Sequence, residues 1–464
     1  MFTTLYIREL QGYLYSLRFQ ISFIIAIVVF TVGSISFVTS IQDIQNNYAK
    51  YTQSALTELT NDAGNISKVA VNKRNYILTP RNNSVIADCK EEFLPNQYTY
   101  SAYNVFGFNV RHQGTNPYMS RADNLNWAFI VSMFFSFITL LFAFDSISGE
   151  KEDKTLALVF SNSVPRRIFI FSKLLSIITM VGFILLTGIV ISLLIMAFSG
   201  KVVLNASFLS DTLGFICVSL LFISIFATFG LLSSVITRSS NVSLLLSLCF
   251  WLFVAVIIPN TSVFWAKKLF PIPSSEQIEQ LVNSEKDDIR DNAPPGSMSY
   301  YGGKPFYPAH QLRADLFAQY LNSEKRIRDD YYRQMFRQFE KTRNFTLISP
   351  LAQFDYINEA FVGGGYLRFQ KNWQDLHVFQ EQFLQWFKEL DAKDPDSPHW
   401  YNYMEDISTS NKPVSVDQIP QYQEQYSPFD KRILFVGGYI IAMVITIAVL
   451  LVLCFYFFVK YDVR

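Results

Sequence analysis

Six runs of mostly apolar residues punctuate the chain, at 19–40, 126–144, 168–198, 213–236, 242–259 and 433–459. Each approaches the length of about 20 residues that a helix needs to cross the hydrocarbon core of a bilayer. None carries an acidic residue in its middle. The pattern predicts six transmembrane helices. The fifth run is the shortest, and Pro259 is expected to mark its end. Lys173, near the start of the third, is expected to snorkel to the lipid headgroups. The first run follows Arg8, Glu9 and Arg18 and outlasts the roughly 7–15 apolar residues of a signal peptide, so it is read as a retained span.

Two long polar pieces separate the runs. In 41–125, Ile41, Ile44, Tyr48, Tyr51, Ala55 and Leu59 recur at helical spacing, so the first span is expected to continue beyond the membrane. Further on, 68–78 and 98–110 favour β-branched and aromatic residues and predict strands, separated by Pro80, Asn82 and Asn83. In 260–432, Leu312, Leu316, Tyr320 and Ile327 fall near one helix face, as do Tyr332, Met335, Phe336 and Phe339, and then Phe379, Phe383, Phe387 and Leu390. Such stripes are core faces, with Arg326, Arg328, Asp329, Asp330 and Arg333 on a solvated side. The Pro-Pro-Gly at 294–296 and the three glycines at 363–365 break the pattern. Ahead of the first span, Leu5, Leu10, Tyr13, Leu14 and Leu17 can share a face opposite Arg8, Glu9 and Gln11, which predicts an interfacial helix within residues 1–18. The expected fold class is therefore an α-helical membrane protein with six transmembrane helices and two extracytoplasmic domains, a small α+β insert (41–125) and a larger, mainly helical insert (260–432).

Composition supports that division. Half of the residues are hydrophobic and only 17% are charged, against about 25% in an ordinary soluble domain. A net charge of +1 gives no electrostatic case for nucleic acid. With an even number of spans, both termini share a side. If that side is the cytoplasm, the inner segments carry Arg8, Arg18, Lys151, Lys154, Arg166, Arg167, Arg238, Lys460 and Arg464, and the outer flanks Lys50, Arg121, Lys201, Lys267, Lys268, Lys431 and Arg432. The bias is modest and favours cytoplasmic termini.

Catalytic patterns are thin. Cys89, Cys217, Cys249 and Cys454 form no close pair, and His112, His310, His377 and His399 make no zinc-type motif. Gly302, Gly303 and Lys304 are followed by Pro305 rather than the Ser or Thr of a phosphate loop. No catalytic, cofactor-binding or metal-binding residue is identified. Ion-coupled carriers place ionisable groups near the midplane, and these spans offer none there. Energy must then arrive from elsewhere.

The most informative stretch is 145–167, which begins Asp145-Ser-Ile-Ser-Gly-Glu-Lys-Glu-Asp-Lys-Thr-Leu156 and ends Ser163-Val-Pro165-Arg-Arg167. Leu156, Val159 and Phe160 would share one face of a short helix, with Glu150, Glu152 and Lys154 near its start. This makes a charged knob with an apolar ridge that a soluble partner could grip. The plainer reading is a solvated connector.

The phrase D-S-I-S-G-E-K-E-D-K-T-L directly after a span, followed by V-P-R-R and a new span with an early lysine, resembles the signature of ABC-2 type transporter permeases of the ATP-binding-cassette class. The Arg8-Glu9-Leu10 helix is similar to the family's cytoplasmic connecting helix, and the six-span plan agrees. Ile-Ser-Pro-Leu at 348–351, Phe354, the 363–365 glycines and Phe369 look like a bacterial subgroup with large extracytoplasmic inserts. The resemblance implies that ATP is bound by a partner subunit, a separate ATPase, and that the 145–167 loop couples to it through Glu150, Lys151, Glu152, Lys154, Thr155, Leu156 and Val159, with Arg8, Glu9 and Leu10 in the connecting helix. It also implies a second permease copy or related chain across the first, second and fifth spans, and residence in a bacterial cytoplasmic (inner) membrane. Membrane lipid, and a periplasmic partner at 260–432, complete the expected contacts. The competing reading is a membrane-anchored scaffold or sensor that transports nothing, although six spans exceed what anchoring requires.

Overall fold

The computed structural model describes residues 2–87, 89, 93–110, 125–161, 164–298 and 307–461. Of the positions singled out by sequence, His112, Arg121, Ser163, Gly302, Gly303, Lys304, Pro305 and Arg464 lie outside the described residues.

Six helices are long and apolar enough to cross a membrane: Leu17–Asp62, Trp127–Glu152, Arg166–Ser199, Ala206–Ile236, Ser240–Leu269 and Phe429–Lys460. They are called the first to sixth spans below. The first starts at the Ser16 cap and runs unbroken for 46 residues, about 69 Å at helical rise, more than twice the roughly 30 Å of a hydrocarbon core. The fourth span is the hub of the bundle and packs on the second, third, fifth and sixth. Small residues let it approach closely. A Cβ on Gly230 would collide with the Cβ of Ala143 in the second span, the kind of contact that substitutes for hydrophobic driving force inside lipid.

The fifth span corrects the expected boundary. It does not end at Pro259 but continues to Leu269. A π-helical stretch over Phe253–Ile257 precedes the proline, which then sits in the first turn of Ile258–Leu269. A proline lacks the N–H that an uninterrupted α-helix would require, and a wider turn placed just before it lets the helix go on.

The two inserts pack as one body, on the side of the bundle opposite the 145–167 segment. Strands β1 (Arg74–Ile77), β2 (Gln97–Tyr100) and β3 (Val105–Asn109) form an antiparallel meander in that order. The strand expected over 68–78 is only partly one. Ile66–Val71 is helical, because the Asn65 side chain accepts from the backbone N–H groups of Ser67 and Lys68 and caps a short turn there. The strand expected over 98–110 is a hairpin interrupted between Tyr100 and Val105. The second insert supplies Ser275–Asp291, the 40-residue Tyr307–Thr346 and Gly365–Asp391. Leu59, Val69, Ala70, Tyr98 and Tyr100 from the first insert share one core with Phe336, Phe369, Leu376, Phe383, Phe387 and Tyr422 from the second. Backbone bonds from Ile66 N to Lys412 O (3.0 Å) and Val414 N to Ala63 O (2.8 Å) stitch the same join.

One further helix, Pro350–Val362, leaves that body and enters the bundle. All but two of its side chains are buried, and it packs on the fourth and sixth spans. The Phe354 ring lies 4.5 Å from that of Phe222, which stands about half-way along the fourth span. Ser349 caps its first turn and also donates to Val254 O in the fifth span at 3.0 Å. Its other end turns on Gly363, whose φ of +67° suits a residue without a Cβ. Glu359, paired with Arg343 at 2.5 Å and accepting from Tyr366 N at 2.6 Å, holds the turn to the body above.

Phe354→Ala therefore opens a fully enclosed cavity between this helix and the fourth span. The expected cost is about 3–5 kcal/mol, read as a fall in unfolding midpoint in detergent. A change indistinguishable from zero would show that the helix is not inserted.

Candidate functional site

The 145–167 segment and the N-terminal helix, Phe2–Leu14, meet at the start of the third span. The contact is made by Lys173. It was expected to snorkel to headgroups, but its side chain is only 3% exposed. Its ammonium sits 2.9 Å from Glu9 Oε1 and 2.7 Å from Glu150 Oε1 and 5.0 Å from the Phe169 ring centroid. An isolated ammonium cannot be buried without a large desolvation penalty. Two carboxylates, one from each neighbouring segment, neutralise it and hold both segments in place. Tyr13 reinforces the join, its hydroxyl 3.2 Å from Ser146 Oγ. Arg18, at the start of the first span, pairs with Asp145 at 2.6 Å.

The rest of the segment fastens onto helix ends. Lys151 Nζ donates to the carbonyls of Ser234 (3.1 Å), Val235 and Thr237 (2.8 Å), the last turn of the fourth span. Glu152 accepts from the Ser240 backbone N–H (3.2 Å) and hydroxyl (2.7 Å), the first turn of the fifth. Arg166 donates to the carbonyls of Phe458 (2.8 Å), Val459 (2.7 Å) and Tyr461 (3.3 Å), the end of the sixth. Helix termini leave four unpaired backbone groups each, with positive potential at the N-terminus and negative at the C-terminus. Cations therefore sit on the two C-terminal ends and an anion on the N-terminal end. A connector with only two short helices, of 5 and 7 residues, is bonded to the third, fourth, fifth and sixth spans.

The short helices Ser148–Glu152 and Thr155–Ser161 carry these groups. They are joined through Lys154, which adopts a left-handed φ of 58°, a conformation that costs a side-chain-bearing residue about 1 kcal/mol. The structure divides the sequence-derived site residues by direction. Leu156 is buried, and Val159 and Phe160 pack partly on the core. The Phe160 ring stands 5.3 Å from Phe169 and 5.8 Å from Phe458. The apolar ridge thus faces the bundle. Glu150 and Lys151 are half-buried in the bonds just described, whereas Glu152, Lys154 and Thr155 are exposed. In the N-terminal helix Arg8 is exposed, Glu9 faces Lys173 and Leu10 is half-buried. Leu158, which sequence reasoning did not select, is 67% exposed. Its i+2 offset from Leu156 is the signal that it points the other way.

The described histidines lie in the outer body, each beside one carboxylate: His377 and Asp329 at 3.0 Å, His399 and Asp391 at 2.6 Å, His310 and Glu405 at 3.7 Å.

A six-span bundle with a bonded connector of this kind calls for comparison with known transporters. The family model described as ABC-2 family transporter protein matches residues 3–463. The chain belongs to the ABC-2 family of transporter proteins. Comparison with curated protein sequences gives no match. This ABC-2 protein is accordingly a multi-pass permease subunit, a transport component without an ATPase domain of its own, and its family implies an ABC ATPase partner.

Removing the Lys173 ammonium leaves Glu9 and Glu150 facing each other with no cation between them. Lys173→Met is expected to destabilise the permease by about 2–3 kcal/mol, below the usual cost of breaking a fully buried pair because both carboxylates keep some solvent. It should also speed tryptic cleavage at Arg8 and Arg18. Glu9→Gln, which leaves Glu150 in place, should do much less. Equal proteolysis of wild type and Lys173→Met would remove the pair from the account.

Proposed function

We propose that this permease is the membrane half of an ATP-driven ABC exporter, or of a mechanotransmitting ABC complex, energised by a separate ATPase that docks on the exposed rim of the 145–167 segment. The observation that carries the reading is the bonding of that segment. Lys151, Glu152, Arg166 and Lys173 tie it to the ends of the third to sixth spans, so a partner that displaces the rim displaces all four helices. The docking surface is Glu152, Lys154, Thr155 and Leu158, which face outward. Glu150, Lys151, Leu156 and Val159 anchor that surface from behind.

The segment and both termini lie on the cytoplasmic side of a bacterial inner membrane, and the composite insert body lies outside, where it roofs the bundle. Support comes from the cations Arg8, Arg18, Lys151, Lys154, Arg166 and Arg167 gathered around the segment. The permease pairs with a second copy or a related chain. The first, fifth and sixth spans leave broad apolar faces open, while the second is largely enclosed within its own chain, so of the three spans the resemblance implies, the first and fifth have surface free for pairing. Helix Pro350–Val362, lodged between the outer halves of the spans, stands where an exit must open.

Leu158→Glu places a charge at the centre of the docking surface. It is expected to weaken association with the cognate ATPase at least roughly tenfold without lowering the unfolding midpoint of the isolated permease. Undiminished association would sink the docking assignment and leave the scaffold reading.

Sidedness is tested separately. In intact cells an impermeant maleimide should label a cysteine placed at the exposed Met404 and should reach one at Leu158 only after lysis. Labelling of position 158 from outside would reverse the topology.

A further inference from the structure

A cavity of about 790 Å³ opens where the composite outer body meets the fourth and sixth spans, a volume in the range that holds small molecules. Its charge is lopsided. Arg81, Arg368, Lys371, Lys431 and Arg432 line it, against only the carboxylates Asp211 and Glu424. Arg368 grips Glu424 at 2.6 and 2.7 Å. Burial pushes the Glu424 carboxyl up, but the bonds from Arg368 and Asn372 outweigh it and hold the group below its ordinary value, so it stays ionised. Arg432 reaches Asp211 at 3.3 Å, yet its Nε is buried without a hydrogen-bond partner. Lys371 pairs with Asp375 behind the wall at 3.0 Å. Lys431 is exposed and makes no ion pair among the described residues. With Asp375 and Asp430 counted, the five cations still exceed the four carboxylates by one.

Two further features add to the positive potential. The fourth and sixth spans both begin at the cavity, since Ala206 and Phe429 line it. Asn205 caps the former, but Pro428 provides no side-chain cap for the latter. The N-terminal N–H groups of a 32-residue helix therefore face the cavity from the direction favourable to an anion. The buried Arg432 Nε has no acceptor, and the helix start has one carboxylate in its first turn, Asp430, but no side-chain cap, so both leave donors open to oxygens carrying negative charge.

The cavity's position narrows the class of anion. Arg432 and Asp211 lie in the opening turns of two candidate spans, where a membrane-crossing helix meets the headgroup region. Apolar side chains edge the cavity beside the spans, among them Phe429, Val203 and Phe435, the last two 63% and 53% exposed. A soluble anion would have no use for that apolar edge.

We propose that this cavity binds an amphiphile with a phosphate-class anionic head, the head between Arg432, Lys431 and Lys371 and its acyl chain along Phe435 and Val203. The inference needs the six-span placement but not the ATPase docking, so either can fail while the other stands.

The test uses the full chain in phosphatidylcholine nanodiscs, titrated with dioctanoyl phosphatidylglycerol, dioctanoyl phosphatidylcholine or inorganic phosphate, with binding read by native mass spectrometry. Phosphatidylglycerol should bind saturably and at least roughly tenfold more tightly than phosphatidylcholine. The double variant Lys371→Gln, Lys431→Gln should lose about tenfold of that affinity and leave phosphatidylcholine unchanged. Lys431→Gln alone, at an exposed side chain, should lose a smaller factor and guards against misfolding of the double variant. Equal binding of the two lipids, or affinity unaltered in both variants, would overturn the proposal. Inorganic phosphate binding as tightly as phosphatidylglycerol would overturn its amphiphile half.

Discussion

A single ammonium group, that of Lys173, sets the geometry of one face of this permease. Burying a charge is tolerable only when it is paired and hydrogen-bonded. Here the two partners, Glu9 and Glu150, come from segments that would otherwise be independent. One sits in an amphipathic helix with no buried side chain of its own. The other sits in a short connector between two spans. Both also pack on the bundle, through Tyr13 in the one and Leu156, Val159 and Phe160 in the other. The ion pair converts both into extensions of the third span.

The same logic extends outward from that pair. Inside lipid, backbone groups at helix ends have no water to satisfy them and must find partners in the protein. Lys151, Glu152 and Arg166 meet that demand for the fourth, fifth and sixth spans from within one connector. Force applied to the connector therefore reaches helix ends through charge-assisted bonds, which are short and directional. On the far side, the coupling is apolar. The first span carries Leu59 into the insert core, and Pro350–Val362 carries Phe354 from that body back to the middle of the fourth span. The fourth span is thus touched at one end by Lys151 and near its middle by Phe354, which places it between the connector and the composite insert body.

Much of this was legible in the sequence, and what was not has physical reasons. Length and hydropathy locate membrane helices because the bilayer imposes both, and the D-S-I-S-G-E-K-E-D-K-T-L phrase pointed to the family. Direction within that phrase was not legible. Leu156, Val159 and Phe160 share a face, but periodicity alone does not say whether a ridge faces a partner or its own bundle. Lys173 read as a snorkelling lysine because its acidic partners lie far away in the chain, at Glu9 and Glu150. The helical turn at Ile66–Val71 was masked by β-branched residues whose local preference the Asn65 cap overrides. Pro350–Val362 is too short and too polar, with Asp355 and Glu359, to register as a membrane segment, and only its partners on the fourth and sixth spans reveal where it lies.

The claim that the connector and the N-terminal helix move as one rigid handle is tested most directly by pulsed electron–electron distance measurement. Spin labels would be placed at the exposed positions Arg8 and Thr155, in a permease whose four cysteines have been replaced and whose ATPase partner is bound. A single narrow distance, unchanged between the nucleotide-free and ATP-bound states, is the predicted result. A distribution that broadens or splits when ATP binds would contradict the account.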